Sequence, residues 1–407
     1  MNAVGVVVEY NPFHNGHLYH MNQSKKQTNA DVSIAVMSGH FLQRGEPSLV
    51  DKWTRTKMAL LNGIDIVIEL PYVFSTGNAT HFAEGAIQLL DAINCETFAF
   101  GSEQGSIQPF LNTYYLLEKN NEEYNALIKQ FVTTGISYPQ SLYMAYEKLK
   151  QKELKEYIDL SQPNNILGYH YLEAANRLKL PIKPVTIQRI QAGYHDDINT
   201  NSTIASATGI RKAIFEQQSL EEISTFVPKP TFFQLEDWIK KFDTFISWET
   251  MWPLLRFSIL RNTPEQLTQF ADVLEGLEFA LLKSAKKSES YVEFMTNLKS
   301  KRYTWTRLQR MITHIYTGIT KEQLHQFTKP TYIRLLGMTS KGQAYISENK
   351  KHFKLPLISR VASIKDEMLE LDIRATEMYA QSVNLASKRK INGDYNTPPI
   401  RISDSTK

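Results

Sequence analysis

The sequence predicts an α/β fold in which a parallel sheet covered by helices is followed by a mainly helical second part. Up to about residue 214, short β-branched runs alternate with stretches of helical periodicity. The runs are apolar on both faces, as expected of strands in a buried parallel sheet. After residue 218 the β-branched runs mostly disappear, whereas helical spacing of apolar residues continues.

The first part divides into five predicted strands and the helices between them. Each strand is a short apolar run, and the runs are Ala3 to Val8, Val32 to Met37, Asp65 to Leu70, Thr97 to Gly101 and Pro184 to Gln188. Helices are predicted near residues 14–27, 51–62, 81–93, 106–119, 139–152 and 165–178. This alternation is typical of a sheet built from βαβ units.

The second part is predicted as a series of helices separated by prolines. Helical spacing covers Leu235 to Phe242, Thr263 to Ala285, Tyr291 to Lys299 and Thr306 to Tyr316. Prolines interrupt it at positions 228, 230, 253 and 264, and Pro330, Pro356 and the Pro398-Pro399 pair break the remainder into shorter pieces. We therefore predict two domains, residues 1–217 and 218–407.

Length and composition limit the class of protein. A chain of 407 residues has room for two or three domains of about 150 residues. With 42% apolar and 22% charged residues, it is not a disordered, collagen-like or coiled-coil protein. Cys95 is the only cysteine, which excludes a disulfide framework and a Cys-rich zinc site and fits a reducing cytosol.

Targeting and membrane segments are not expected. The apolar run at Ala3 to Val8 lacks a preceding basic residue and ends in Glu9, unlike a secretory signal. No uncharged apolar run reaches the roughly 18 residues that a membrane-spanning helix needs. We predict a soluble, cytoplasmic protein without a membrane partner; the sequence leaves the oligomeric state open.

The net charge conceals a basic segment. The total is 46 − 42 = +4, but residues 1–214 carry 18 − 20 = −2 and residues 215–407 carry 28 − 22 = +6. Between Lys299 and Lys354, 12 basic residues face two acidic ones, a local charge of +10. Six aromatic residues are interleaved with them: Tyr303, Trp305, Tyr316, Phe327, Tyr332 and Tyr345.

This composition favours a nucleic-acid surface. Lys and Arg neutralise backbone phosphates, and exposed aromatic rings stack on unpaired bases. The candidates come from the densest stretch, and they are Lys301, Arg302, Trp305, Arg307 and Arg310. The alternative is a solvated helix face whose aromatic residues belong to the core.

The first strand ends in a candidate anion site. His14-Asn15-Gly16-His17 follows that strand and opens a helix. The glycine lets a ligand approach the backbone, and the amides of a helix start attract phosphate. His14 and His17 would project from one side of the first turn, where they could hold a polyphosphate. The alternative is a surface turn. Two histidines without a third ligand form no complete zinc site, so no metal ligand is assigned.

A second candidate lies about 190 residues later, in Ser206-Ala207-Thr208-Gly209-Ile210-Arg211. Ser206 and Thr208 are placed to cap a helix that begins near Thr208. Arg211 in its first turn opposes the favoured helix-dipole arrangement, which makes sense if an anion binds there. The alternative is an ordinary cap with solvated basic residues.

Together the two motifs resemble those of the HxGH nucleotidyltransferase superfamily, which uses them to hold the phosphates of ATP. The resemblance implies a Rossmann-like nucleotidyltransferase domain and attack on the α-phosphate with release of pyrophosphate. His14, His17 and Arg211, with Mg²⁺ on the ATP, would align the reactants and neutralise the leaving group.

Longer stretches resemble the bacterial tRNA(Met) cytidine acetate ligase family over the whole chain. They are Val8 to His17, Met37 to Pro47 and Pro163 to Gly168. The resemblance implies that ATP activates acetate to acetyl-adenylate, and that the acetyl group then passes to the wobble cytidine of elongator tRNA(Met).

The same resemblance implies the ATP-binding residues. They are Val7, Val8, Glu9, Tyr10, Asn11, Pro12, Phe13, His14, Asn15, Gly16, His17, Leu18, Tyr19, His20, Gly101, Asn165, Arg189, Ile190, Ser206 and Thr208. Arg44 lies in a glycine-punctuated segment that could cover the site, near acetate or an RNA phosphate. A structural loop in which Arg44 pairs with Glu46 or Asp51 is the alternative.

Two other functions remain open. An adenylyltransferase that joins ATP to a small phosphorylated cofactor precursor would need the same ATP motifs. An RNA-binding protein with a regulatory nucleotide site would need the same basic segment. The ligase is favoured because it requires both features.

Overall fold

A computed structural model of the chain describes residues 1–151, 155–190, 203–217, 219–274 and 276–403. Strands from both parts of the chain form one sheet in this structure. In chain order they are β1 (Ala3–Val8), β2 (Val32–Ser38), β3 (Ile66–Leu70), β4 (Thr97–Ser102), β5 (Lys183–Gln188), β6 (Ile333–Thr339), β7 (Leu357–Ile358) and β8 (Ile400–Ile402). The order across the sheet is β5-β4-β1-β2-β3-β6-β7, and β8 also pairs with β6.

Helices pack around this sheet. In the first part they are α1 (Asn15–Thr28), α2 (Lys52–Leu61), α3 (Tyr72–Ser75), α4 (Ala79–Ala92), α5 (Ile107–Lys119), α6 (Asn121–Thr133), α7 (Tyr138–Lys150), α8 (Pro163–Arg177) and α9 (Ala207–Gln217). In the second they are α10 (Lys229–Phe242), α11 (Trp248–Leu260), α12 (Pro264–Leu267), α13 (Leu277–Lys287), α14 (Tyr291–Leu298), α15 (Trp305–Thr317), α16 (Lys321–His325), α17 (Ser340–Asn349) and α18 (Glu367–Ser387). Within the described residues, none is long and apolar enough to cross a membrane.

The five predicted strands are confirmed, each within one residue of its predicted ends, and they pair in parallel. The residues of β1, β2 and β3 are nearly all buried, in keeping with their apolar composition, whereas the edge strand β5 has only Thr186 and Ile187 buried. The chain runs outward from β1 through β2 to β3 and then returns to place β4 on the other side of β1. The strand order therefore reverses between β1 and β4, and ligands of open α/β sheets bind beyond the carboxyl ends of strands at such a point.

The second part is mainly helical as predicted, but it also continues the sheet. Strand β6 pairs antiparallel with β3, and the short strands β7 and β8 pair in parallel with the other edge of β6. The prolines that appeared to break this region lie shortly before these strands, where no ladder hydrogen bond is lost. The division at residues 217 and 218 stays a prediction, since the sheet crosses it.

Candidate functional site

The turn between β1 and α1 is built by the two histidines themselves. His14 is the N-cap of α1, and its Nδ1 accepts the backbone N–H of Gly16 at 3.1 Å. Nδ1 of His17 in turn accepts the backbone N–H of His14 at 3.3 Å, so the pair forms a capping box. Because both Nδ1 atoms accept, each neutral ring carries its proton on Nε2. Each ring therefore keeps one donor for a ligand.

The histidine cluster is uncharged. The ring centroids of His14 and His17 are 3.7 Å apart. Burial, and then the charges of Arg189 and Arg211, lower the pKa of His14 to about 3. Burial also lowers the pKa of His17 well below its ordinary value, and burial followed by the charge of Arg189 lowers that of His20 to about 4. A polyanion bound here would favour the protonated rings.

The second motif lies directly against the first. Ser206 caps α9 as predicted, because its Oγ accepts the backbone N–H of Gly209 at 3.0 Å. The prediction that Thr208 also caps the helix is wrong, because α9 begins at Ala207 and Thr208 lies inside its first turn. The amide of Asn15 donates to the Thr203 carbonyl at 2.8 Å. A Cβ built on Gly16 would lie 2.9 Å from the His14 ring, so the packing of that ring over the turn favours glycine, whereas Ile204, at 3.6 Å, would be in ordinary van der Waals contact.

Arg211 connects the motifs to a third segment. Its guanidinium donates to the Asn11 carbonyl at 2.9 Å and to the Glu46 carboxylate at 2.9 Å. Glu46 belongs to the loop between β2 and α2, and Asn11 belongs to the turn after β1. One arginine therefore fixes the relative positions of α9, the histidine turn and this loop.

These segments enclose a cavity of about 690 Å³, a size typical of small-ligand sites. It lies at the carboxyl ends of β1 and β4, where the strand order reverses. The predicted residues that line it are Val7, Val8, Glu9, His14, Gly16, His17, Tyr19, His20, Arg44, Gly101, Arg189, Ile190, Ser206, Thr208, Arg211 and Arg310.

Other predicted residues support the cavity from behind. Tyr10 and Phe13 are buried in the core, and Asn11 accepts the backbone N–H of Leu49 at 2.7 Å. The amide of Asn165 is buried, accepts the backbone N–H of Glu103 at 3.1 Å and donates to the Asp159 carbonyl at 3.2 Å. The predicted residues outside the lining are Tyr10, Asn11, Pro12, Phe13, Asn15, Leu18, Asn165, Lys301, Arg302, Trp305 and Arg307.

The structure adds lining residues that the sequence did not single out, among them Gln43, Phe82, Asn164, Tyr171 and Thr306. Glu103, which follows β4, accepts hydrogen bonds from the Asn164 amide at 2.6 Å and the Asn165 backbone at 2.9 Å. It therefore holds the start of α8 against the end of β4. The Asn164 side chain also accepts from Arg189 at 3.3 Å.

The loop between β2 and α2 forms one wall. Arg55 is fully buried and donates to the carbonyls of Glu9, Ser38 and Gly39. The Glu9 carboxylate accepts the backbone N–H of Gln43 at 2.9 Å, and burial raises the pKa of Glu9. Arg55 is thus a structural residue that joins this loop to the end of β1.

The basic segment is divided by the structure. Tyr303, Tyr316, Tyr332 and Tyr345 are buried, so these rings belong to the core, whereas Trp305 is 38% exposed. On α15, Arg310 lines the cavity, but Arg307 pairs with Asp272 at 3.0 Å and lies over the Tyr303 ring. Lys301 and Arg302 are exposed just before α15. Arg302 and Lys301 precede Thr306, which lines the cavity, by four and five residues.

Comparison with known proteins identifies the family. The model of the HIGH Nucleotidyl Transferase family matches residues 1–394. The chain is 61% identical to the tRNA(Met) cytidine acetate ligase of Lysinibacillus sphaericus, covering 98% of this chain and 100% of that one. It is 45% identical to the enzyme of the same name from Bacillus subtilis, covering 99% and 98%.

A solved structure agrees over the full length. The crystal structure of Thermotoga maritima TmcAL bound with alpha-thio ATP superposes with a TM-score of 0.89 at 32% identity, covering 99% of this chain and 100% of that one. The apo form of the same protein gives a TM-score of 0.91. The chain therefore belongs to the HIGH nucleotidyl transferases and, among them, to the tRNA(Met) cytidine acetate ligase family.

Proposed function

We propose that this chain activates acetate with ATP and transfers the acetyl group to the exocyclic amine of the wobble cytidine of elongator tRNA(Met), forming N4-acetylcytidine. A carboxylate oxygen of acetate attacks the α-phosphorus, and the bond to the β-phosphate breaks to release pyrophosphate. The cytidine amine then attacks the acetyl carbon, loses a proton and expels AMP. The chain is an ATP-dependent ligase, as its family membership indicates.

One observation carries this proposal: the two candidate phosphate motifs and the loop with Arg44 and Glu46 meet in a single cavity, whose lining also includes Thr306 and Arg310 of the basic segment. Acetate is already a nucleophile at neutral pH, so the first step needs alignment and charge neutralisation rather than a base. The Nε2 donors of His14 and His17, the N-terminus of α9 and Arg211 supply charge stabilisation for the phosphates.

The metal is proposed to enter with ATP. Mg²⁺ is bound mainly by phosphate oxygens and waters, with one or two carboxylates from the protein. The cavity offers the carboxylates of Glu9 and Glu46. Among the described residues, no group of three metal-ligating side chains occurs. Bound to ATP, the ion would neutralise phosphate charge, and the chain's own residues would orient acetate towards the α-phosphate.

The tRNA is proposed to lie across the exposed residues at the start of α15. Lys301 and Arg302 are exposed, and Trp305 offers a partly exposed ring. Only Trp305, of the aromatic residues named in the segment, is exposed enough to stack on a base. We propose that the surface of Lys301, Arg302, Trp305 and Arg307 binds backbone phosphates and presents the wobble base to the cavity.

The rival function, an adenylyltransferase for a phosphorylated cofactor precursor, is less well supported. It needs the ATP cavity but gives no reason for the basic surface beside it. One assay distinguishes the ligase from the adenylyltransferase. The protein is incubated with ATP, labelled acetate and bulk tRNA, and the RNA is digested to nucleosides. We expect labelled acetylcytidine only when ATP is present. Pyrophosphate release with a phosphorylated precursor, and no label in RNA, would refute the ligase.

The role of His17 is tested by two substitutions. His17→Ala removes both the imidazole and the capping bond, whereas His17→Gln retains a side-chain acceptor at this position of the capping box. We expect both variants to lose adenylate formation and to retain tRNA binding, because the imidazole donor is missing in both. Parental activity in His17→Gln would mean that His17 serves only as a helix cap.

A further inference from the structure

We propose that Arg310 is the residue by which the second half of the chain binds an oxyanion of the small substrates, inside the ATP cavity. The inference rests on the proposed function and deepens it. The oxyanion is the phosphate chain of ATP or the carboxylate of acetate, and not the backbone of the tRNA. Arg310 is a member of the basic segment, but its position separates it from the other members.

The location of Arg310 is set by close packing. Gly45 has a φ of +75°, and a Cβ built on it would lie 2.6 Å from the backbone nitrogen of Arg310. The Gly45 carbonyl accepts hydrogen bonds from Thr313 at 2.8 Å and from the Trp248 indole at 2.9 Å. The backbone of α15 is therefore locked against the loop that carries Arg44 and Glu46. This contact directs one turn of α15, with Thr306 and Arg310, into the cavity wall.

Arg310 differs from Arg307, one turn earlier, in its partners. Arg307 donates to Asp272 at 3.0 Å and lies over the Tyr303 ring, outside the cavity lining. The guanidinium of Arg310 makes no hydrogen bond or ion pair with any other residue in the described part of the chain. Asp272 does attract it electrostatically, but that carboxylate already pairs with Arg307. A guanidinium stays charged and has five donors to satisfy.

The charge of the cavity points to the ligand. Four arginines line it (Arg44, Arg189, Arg211 and Arg310) against two carboxylates (Glu9 and Glu46), an excess of 4 − 2 = 2 positive charges. Glu46 is already paired with Arg211, and the pKa of Glu9 is raised by burial. A half-buried cation without a pairing group favours an anionic ligand. The small substrates are anions that must enter this cavity before the tRNA reacts.

The test measures the first half-reaction alone, as acetate-dependent exchange of pyrophosphate into ATP without tRNA. We expect Arg310→Gln to lower kcat/KM for the exchange reaction by about tenfold or more, the effect typical of losing a hydrogen bond to a charged group. Arg310→Lys keeps the charge but not the bidentate geometry, and should recover part of the loss. A rise in the KM for ATP assigns the phosphates as ligand, and a rise in the KM for acetate assigns the carboxylate.

Two further variants serve as comparisons. Arg256→Gln removes an arginine of α11 that pairs with Glu289 and does not line the cavity, and this variant should exchange at the parental rate. Arg307→Gln should raise the KM for tRNA in the complete reaction. Melting curves show whether Arg310→Gln is folded. If it is not, the KM values of Arg310→Lys for ATP, acetate and tRNA show which ligand Arg310 binds.

The inference is overturned if a folded Arg310→Gln variant exchanges pyrophosphate at the parental rate and only its KM for tRNA is raised. Arg310 would then belong to the tRNA-binding surface. This failure is distinct from failure of the proposed function. If the function itself is wrong, the parental protein forms no acetylcytidine. If only the inference is wrong, the parental protein is active and Arg310→Gln exchanges equally well.

Discussion

Two neutral imidazoles, those of His14 and His17, lie at the centre of the proposed site. The Nδ1 atoms of His14 and His17 accept hydrogen bonds from backbone N–H groups, which leaves both Nε2–H groups as donors. Burial keeps them neutral, since the pKa of His14 is about 3 and that of His17 is also well below its ordinary value. If ATP binds as proposed, it would meet donors that are already oriented, so little reorganisation would be needed when charge develops on the phosphates.

The same shift makes stability depend on pH. An unfolded chain protonates His14 near pH 6.5, whereas the folded chain does so only near pH 3. Between these values the unfolded state binds more protons, so the free energy of unfolding falls as the pH is lowered. The loss is at most about 1.4 kcal/mol per pH unit for each such histidine. We expect the Tm of the ATP-free protein to fall between pH 7.5 and pH 5.5.

His14→Asn is the matched variant, because asparagine keeps an N-cap acceptor and does not titrate. Its Tm should fall less steeply over the same pH range, as should that of the parental protein with ATP, whose phosphates favour the protonated ring. Identical pH profiles for His14→Asn and the parental protein would show that His14 is not responsible.

At the scale of elements, the contact between the loop after β2 and α15 makes the second half part of the site. Gly45 is essential to this contact, because its positive φ and its 2.6 Å approach to the α15 backbone both exclude a side chain. Gly45→Ala should therefore displace the loop, lower stability and reduce adenylate formation. Urea unfolding and pyrophosphate exchange measure the two effects.

Gly318 provides the control for this substitution. It ends α15 with a φ of +68°, and a Cβ built on it would meet no atom within 4 Å. Gly318→Ala should cost only the conformational penalty of the left-handed region, about 1–2 kcal/mol. If Gly45→Ala were no more destabilising than Gly318→Ala, the close contact between Gly45 and α15 would not contribute to the free energy of unfolding.

Prediction from sequence succeeded where one element carries its own signal. The strands β1 to β4 are mainly apolar runs, β5 contains the β-branched run Val185 to Ile187, and both candidate anion motifs are contiguous at a strand or helix end. It missed β6, a buried strand in the part predicted to be helical, and the short strands β7 and β8, which follow prolines. It also missed α6, whose sequence is mostly polar. It predicted Thr263 to Ala285 as one helical stretch, but this divides into α12 and α13.

The remaining site residues depend on packing between distant segments. Arg310 was placed on the RNA surface because its sequence neighbours are basic, and its position beside Gly45 follows only from a tertiary contact. The link from Glu103 to Asn164 and Asn165 joins residues about 60 positions apart. No periodicity or local motif encodes such contacts, so they could not be derived from one sequence.

For the whole molecule, a buried ionic cluster connects the two predicted domains. Nζ of Lys52, on α2, lies 2.8 Å from Glu69 on β3 and 2.8 Å from Asp394. Arg334 on β6 lies 3.6 Å from the same Asp394 carboxylate. The side chains are at most 4% exposed. Although burial opposes it, the charges of Asp394 and Glu69 raise the pKa of Lys52, so the ammonium is retained.

This cluster and the shared sheet predict that the two parts of the chain unfold together. Lys52→Met leaves two buried carboxylates that face Arg334 alone, and breaking such a pair costs about 3–5 kcal/mol. We expect a large fall in Tm, seen by calorimetry as one transition that moves as a whole.

Lys354→Met is the control variant. Lys354 also joins the two parts of the chain, because its Nζ lies 2.6 Å from Asp91, but its side chain is 51% exposed. Its loss should therefore cost at most about 1 kcal/mol. Two separate transitions in the parental protein, of which Lys52→Met moves only one, would instead identify residues 1–217 and 218–407 as independently folding domains.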